Sequence, residues 1–135
     1  MSMALRTKCM NAVPSDSDGL RICVMRNANV YNRHLKLFQK HYGRPMYDMH
    51  MKALAPSTEL KDAYKHGDLS WKEYQPIFRQ EVLKNQSDLV KMIAFMAQYQ
   101  DVTLLCSEKT PEQCHRRLPA EECKRYQPKL ELIVE

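Results

Sequence analysis

The stretch from Cys106 to Arg117, Cys-Ser-Glu-Lys-Thr-Pro-Glu-Gln-Cys-His-Arg-Arg, brings thiols, carboxylates, an imidazole and guanidinium groups into a short length of chain. Within it, Thr110 suits an N-cap, Pro111 suits the first helical position and Gln113 closes a capping box, so a helix is expected to start at Pro111. Such a start presents unpaired backbone donors and the positive end of the helix dipole to whatever lies before it. Cys114, His115 and Arg116 then fall in the first turns, where a thiol loses its proton more readily and an anion is the natural occupant. Cys114 is therefore the candidate nucleophile, with His115 and Glu108 as candidate acid or base. Arg116 is a candidate anion ligand, and Arg26 supplies a second fork of donors if its strand lies beside the one ending at Cys106. Cys106, Ser107 and Lys52 complete the expected binding set.

Plain packing competes with each assignment. Cys23 and Cys106 stand inside apolar runs and read first as small core residues, whereas Cys114 reads equally as packing or as reactive thiol. His115 alone is commonly a surface or hydrogen-bonded histidine, and Arg116 with Arg117 can form a solvated face. Cys106, Cys114, His115 and Cys123 could be enlisted for zinc, but no closely spaced C-x-x-C pair is present, and neighbouring helical residues point about 100° apart. Neither metal nor cofactor is expected, and Met46, Met49 and Met51 read as adaptable core filler.

Placing these groups requires strands that end beneath them. Leu20 to Met25 follows the turn-forming Pro14-Ser-Asp-Ser-Asp-Gly19 and has the apolar, β-branched make-up of a strand buried on both faces. Val102 to Cys106 and Leu130 to Val134 repeat it, and Ala4 to Cys9 is expected as an edge strand. Between them the period turns helical. Leu89, Met92, Ile93, Met96 and Ala97 line one helix face, with Ser87 placed as its cap. Ser70-Trp-Lys-Glu73 opens another helix carrying Tyr74, Phe78 and Glu81, in which Pro76 must kink or restart the turn. A shorter helix follows Pro56-Ser57 through Leu60 and Tyr64 to His66-Gly67, and helical pieces are expected around Leu35 to Phe38 and from Met46 to Leu54.

Strands alternating with helices predict an α/β fold: a three-layer sandwich with a small, mostly parallel sheet flanked by helices, Rossmann-like in character. Such sheets bind ligands beyond the carboxyl ends of their strands, which directs attention to the residues just after Met25 and just after Cys106.

The 135 residues carry 21 Lys and Arg against 16 Asp and Glu, a formal charge of +5, with 44% apolar content. Residues 1–135 are expected to form a single domain with enough core to dispense with disulfides or metal. No apolar run reaches the roughly 18 residues a membrane span requires, and Met1 to Met10 lacks the apolar centre of a signal peptide, so a cytoplasmic protein with no membrane partner is expected. Five cysteines fit reduced thiols better than a disulfide framework.

Three motifs together, Leu54-Ala-Pro-Ser-Thr-Glu-Leu60, Thr103-Leu-Leu-Cys-Ser-Glu108 and Cys114-His-Arg116, resemble the domain-of-unknown-function family 488. The likeness runs from about Asp18 to Val134. It takes in Asp18-Gly-x-Arg21, Arg26, Lys52, and Tyr74, Phe78 and Glu81. What the resemblance implies is a small free-standing α/β protein whose polar and thiol positions are Arg26, Lys52, Ser57, Glu81, Cys106, Glu108, Cys114, His115 and Arg116, with no role attached to any of them. A common branch of the family follows the strand-end arginine with Trp-Pro-Arg-Gly; here the residues are Asn27-Ala-Asn-Val30, and His50 stands where that branch often has tryptophan.

The expected activity is binding of a small anionic ligand, phosphate- or carboxylate-bearing and with nucleotides included, at the carboxyl end of the sheet. One alternative is a nucleic-acid or protein-interaction module using the basic surface; its basic residues are spread out, the best concentrations being His115 to Arg117 with Lys124-Arg125, and Arg26 to Arg44. A second alternative is a thiol redox sensor built on Cys106 and Cys114. A homodimer could form through an edge strand or the helix from Ser87.

Overall fold

The computed structural model describes residues 3–107 and 115–135. Five strands form one all-parallel sheet: β1 (Ala4–Cys9), β2 (Leu20–Cys23), β3 (Met49–His50), β4 (Val102–Cys106) and β5 (Glu131–Val134), in the spatial order β3-β2-β4-β1-β5. Among the described residues five α-helices, α1 (Leu35–Tyr42), α2 (Thr58–Lys65), α3 (Trp71–Phe78), α4 (Ser87–Met96) and α5 (Arg117–Tyr126), complete the α/β sandwich expected from the alternation of strands and helices. No helix among the described residues is long and apolar enough to cross a membrane.

The alternating side chains of each strand give the sheet two unlike faces. Leu5, Ile22, Val24, Val102 and Leu104 face a large apolar core closed by Leu60 of α2, Tyr74 and Phe78 of α3, Val90, Ile93 and Ala94 of α4 and Leu118, Ala120 and Cys123 of α5. The opposite face is partly polar. Arg21 and Thr103 are fully buried there, and a smaller cluster of Met10, Cys23, Met25, Tyr31, Phe38 and Met46 packs under α1.

Local signals place several helices. Ser57 caps α2 by accepting from the Leu60 amide at 3.1 Å, and Ser70 and Glu73 form the expected reciprocal capping box on α3. Pro76 does not stop α3. The chain remains helical and widens directly into a π turn over Arg79–Leu83, which buries Val82 and Leu83. The buried stripe of α4 is Val90, Ile93, Ala94 and Ala97, while Met92 is left outside, and Ser87 lies in the first turn without a side-chain capping bond.

Two expectations fail for reasons outside the local sequence. β1 is not an edge: it lies between β4 and β5, and the polar residues that suggest exposure are satisfied by the turn before β2 and by Asp101. Arg6 donates to the Ser17 carbonyl at 2.6 Å and to Asp101 at 3.0 Å, and Lys8 donates to the Val13 carbonyl at 2.9 Å and to Asp18 at 3.0 Å. Met46 to Leu54 is not a helix either. It lies along β2, with the Asp48 and Met51 amides donating to the Arg21 and Cys23 carbonyls at 2.8 and 2.9 Å, and only Lys52–Leu54 forms a 3-10 turn.

Candidate functional site

β2 and β4 are neighbours, but the chain leaves them in opposite directions: β2 leads to β3 on one side, and β4 leads past β1 to β5 on the other. Between two such strands the connections diverge and leave a crevice beyond their carboxyl ends. A hollow of about 60 Å³ lies there, enough for a few water molecules. Its strand-end residues are Met25, Arg26 and Asn27 from β2 and Cys106 and Ser107 from β4, and His115 closes it before α5 begins.

His115 is held by backbone. Its Nε2 lies 2.9 Å from the Val24 carbonyl oxygen. A carbonyl only accepts, so Nε2 carries the hydrogen and, in the neutral ring, Nδ1 is left as an acceptor. Cys106 Sγ lies 3.5 Å from Nδ1 and 3.8 Å from Nε2. These near-equal separations put the sulfur against the flank of the ring rather than on the axis of either nitrogen. Phe78 packs against the imidazole with ring centroids 5.8 Å apart, so the ring is fixed both by apolar contact and by its bond to β2. The next carbonyl of this strand end, that of Met25, accepts from His50 Nε2 at 2.6 Å.

Arg26 is half-buried, and its Nε donates to the Pro56 carbonyl at 2.8 Å, just before the capped start of α2. That bond orients the guanidinium plane and leaves its two Nη groups with no partner among the described residues. Arg26 borders not only this hollow but two adjoining open depressions. Lys52, Ser57 and Glu81 line one, and Lys52, His50, Lys61 and Asp62 line the other. Arg26 and Lys61 thus line the hollow and Lys52 lines both depressions beside it, with Glu81 in the first depression and Asp62 in the second. The remaining wall is aromatic: Tyr64, Trp71 and Tyr74 contact one another at centroid separations of 5.1 to 5.7 Å, and Arg117 stands over the Trp71 ring at 5.6 Å.

Of the residues singled out from sequence, Arg26, Cys106, Ser107 and His115 come together around the hollow, and Lys52 lies at its margin. Arg116 is elsewhere. Its side chain is wholly buried, and one Nη donates to the Glu135 carbonyl at 2.8 Å beyond the end of β5, so it does not share the described hollow with Arg26. Cys114, Glu108 and the helix start at Pro111 lie outside the described residues. Lys61, Tyr64, Trp71 and Tyr74 join the site without having stood out from the sequence as site residues; the signal for them is their placement on two helices whose caps are legible.

The other described thiols differ from Cys106 in setting. None is in a disulfide. Burial pushes the Cys23 thiol up from its ordinary value, and burial, with the nearby Glu122 charge, pushes Cys123 up to about 12. Cys123 sits in the core, its Sγ 3.4 Å from the Val90 carbonyl. Among the described residues no three His, Cys, Asp or Glu side chains gather as a metal centre requires.

The family model DUF488-N3a, described as the active DUF488-N3 subclade, matches residues 5–127, which include β1 from Leu5 onward, all of β2, β3 and β4, and the whole of the hollow's lining. Neither the comparison with curated proteins nor that with solved structures returns a match.

Proposed function

The chain belongs to the DUF488-N3a family, and from the geometry of its site we propose that it binds a small phosphate- or carboxylate-bearing ligand at the carboxyl ends of β2 and β4. The observation that carries this reading is the Arg26 guanidinium, oriented by the Pro56 carbonyl with both Nη groups unoccupied by described residues, at the rim of the crevice where β2 and β4 part. A planar, permanently charged fork pre-oriented in this way loses little entropy on engaging two oxygens of an anion. Lys61 and Lys52 add positive potential at the opening, and low-dielectric walls concentrate it. The aromatic wall gives a small organic anion an apolar surface, and the two open depressions beside the hollow leave room for the rest of a nucleotide. The description of the subclade as active agrees with a site that holds a thiol and an imidazole together.

Calorimetry with inorganic phosphate, sulfate and a nucleoside monophosphate tests this reading. Arg26→Ala is expected to weaken binding by about 10- to 100-fold, the range for losing charge-assisted hydrogen bonds. Equal affinity in wild type and Arg26→Ala removes the site from consideration.

A further inference from the structure

The hollow holds more than an anion subsite requires. Cys106 reaches it from the end of β4 with only 2% of its surface exposed, and the imidazole of His115 lies against its sulfur. His115 is not free to turn, because Nε2 is committed to the Val24 carbonyl. In the neutral ring the nitrogen left as an acceptor is Nδ1, 3.5 Å from the sulfur that rests on the ring's flank. Packing explains a small residue inside β4, and Phe78 with the Val24 carbonyl holds the ring; the result is an acceptor nitrogen beside the sulfur in a space that opens toward Arg26. A thiol with a positioned base is the arrangement that makes a sulfur nucleophile.

We propose that Cys106 is a nucleophile whose target is a small anion carrying an electrophilic carbon near its charged group. The inference rests on the anion reading above: Arg26 holds the carboxylate or phosphate, and the carbon beside it is presented to Cys106. In the step, the Cys106 proton moves to His115 Nδ1, the sulfur lone pair forms an S–C bond, and the leaving group departs with the electron pair of the bond it breaks. The products are a thioether on Cys106, the free leaving group and a protonated His115, so charge and atoms balance without an added oxidant or reductant.

Iodoacetate and iodoacetamide provide the test, since they deliver the same carbon and the same leaving iodide with and without a negative charge. Labelling of the intact protein at neutral pH is followed by peptide-resolved mass spectrometry, which separates Cys106 from the other cysteines. Iodoacetamide reports the thiol alone: Cys106 is expected to react ahead of the buried Cys23 and Cys123. His115→Gln should slow it by about tenfold, because an ordinary thiol is only a few per cent ionised at this pH. The ratio of iodoacetate to iodoacetamide rates reports the anion subsite. At Cys106 it should exceed the ratio in the denatured chain by about tenfold, as expected for an attracting charge nearby in a partly dry site, and it should fall to the denatured value in Arg26→Ala or under saturating phosphate. If Cys106 labels no faster than Cys123 with either reagent, the nucleophile is overturned while phosphate calorimetry still stands. If Cys106 labels fast but the ratio equals that of the denatured chain, the anionic target is overturned, and the anion site with it.

Discussion

Asp18→Asn removes one charge from the polar face of the sheet and changes almost no volume, so its cost isolates what that charge does. Asp18 is 1% exposed and Arg21, its partner at 2.7 Å, is wholly buried. The carboxylate also accepts from the Ser15 amide and from Lys8, each at 3.0 Å, while the Asp18 carbonyl accepts from the Thr103 hydroxyl at 2.7 Å. A neutral amide in place of the carboxylate would leave the Arg21 guanidinium buried with only the Met46 carbonyl, 2.7 Å from its Nε, and the nearby Asp48 to offset it. Breaking a buried pair from one side costs about 3 to 5 kcal/mol. For a chain of this size, each kcal/mol moves the melting temperature by roughly 3 to 5 °C, so a fall of roughly 10 to 20 °C is expected by circular dichroism. The effect has a definite pH dependence. Burial raises the Asp18 carboxyl, but the bonds from Ser15, Lys8 and Arg21 outweigh it and hold the group below its ordinary value. A carboxylate depressed in the folded state contributes stability above the unfolded value and loses it as pH falls through the folded one. The gap between wild type and Asp18→Asn should therefore persist at pH 5 and close only in stronger acid. A loss under about 1 kcal/mol, well short of the buried-pair range, or a gap already closed at pH 5, refutes the reasoning.

Gly19→Ala should be at least as damaging, by about 3 kcal/mol or more in urea unfolding, because φ is +58° at this position and an added Cβ would press into the Asp101 carbonyl, which accepts the Leu20 amide at 2.9 Å. Ser70→Ala should cost about 1 kcal/mol by the same measurement, through loss of the cap on the Glu73 amide. With its thiol pushed up to about 12, Cys123 should resist an aromatic disulfide reagent in the native protein at pH 9 and react as soon as the chain is unfolded. Reaction of native Cys123 at the rate of a small free thiol would contradict its placement in the core.

The parts of this fold legible in the sequence are those set by neighbours along the chain. Ser57 and Ser70 mark helix starts because a cap acts over three residues, and β2 and β4 announce themselves as short apolar runs because both of their faces are covered. Pairing between distant segments left no such mark. Met46 to Leu54 has a helical spacing of apolar residues, yet the carbonyls of Arg21 and Cys23 draw it into an extended edge. Arg6 and Lys8 look like the solvent side of an edge strand until Ser17, Asp18 and Asp101 are brought over them. The site divides in the same way. Arg26 and Cys106 could be singled out because strand ends in a parallel sheet are where ligands bind, and His115 because it follows an expected helix start. That His115 would face Cys106, while adjacent Arg116 turns to the Glu135 carbonyl, depends on Val24 and the chain end, which are far from either in sequence.

The most direct test of the account is a crystal structure of the protein soaked in inorganic phosphate above the concentration that saturates it in solution. The account predicts an ordered phosphate on the Nη groups of Arg26, inside the crevice between the ends of β2 and β4 and within reach of Cys106. A phosphate bound at another surface, or a crevice in which Arg26 engages no anion at saturation, would contradict it.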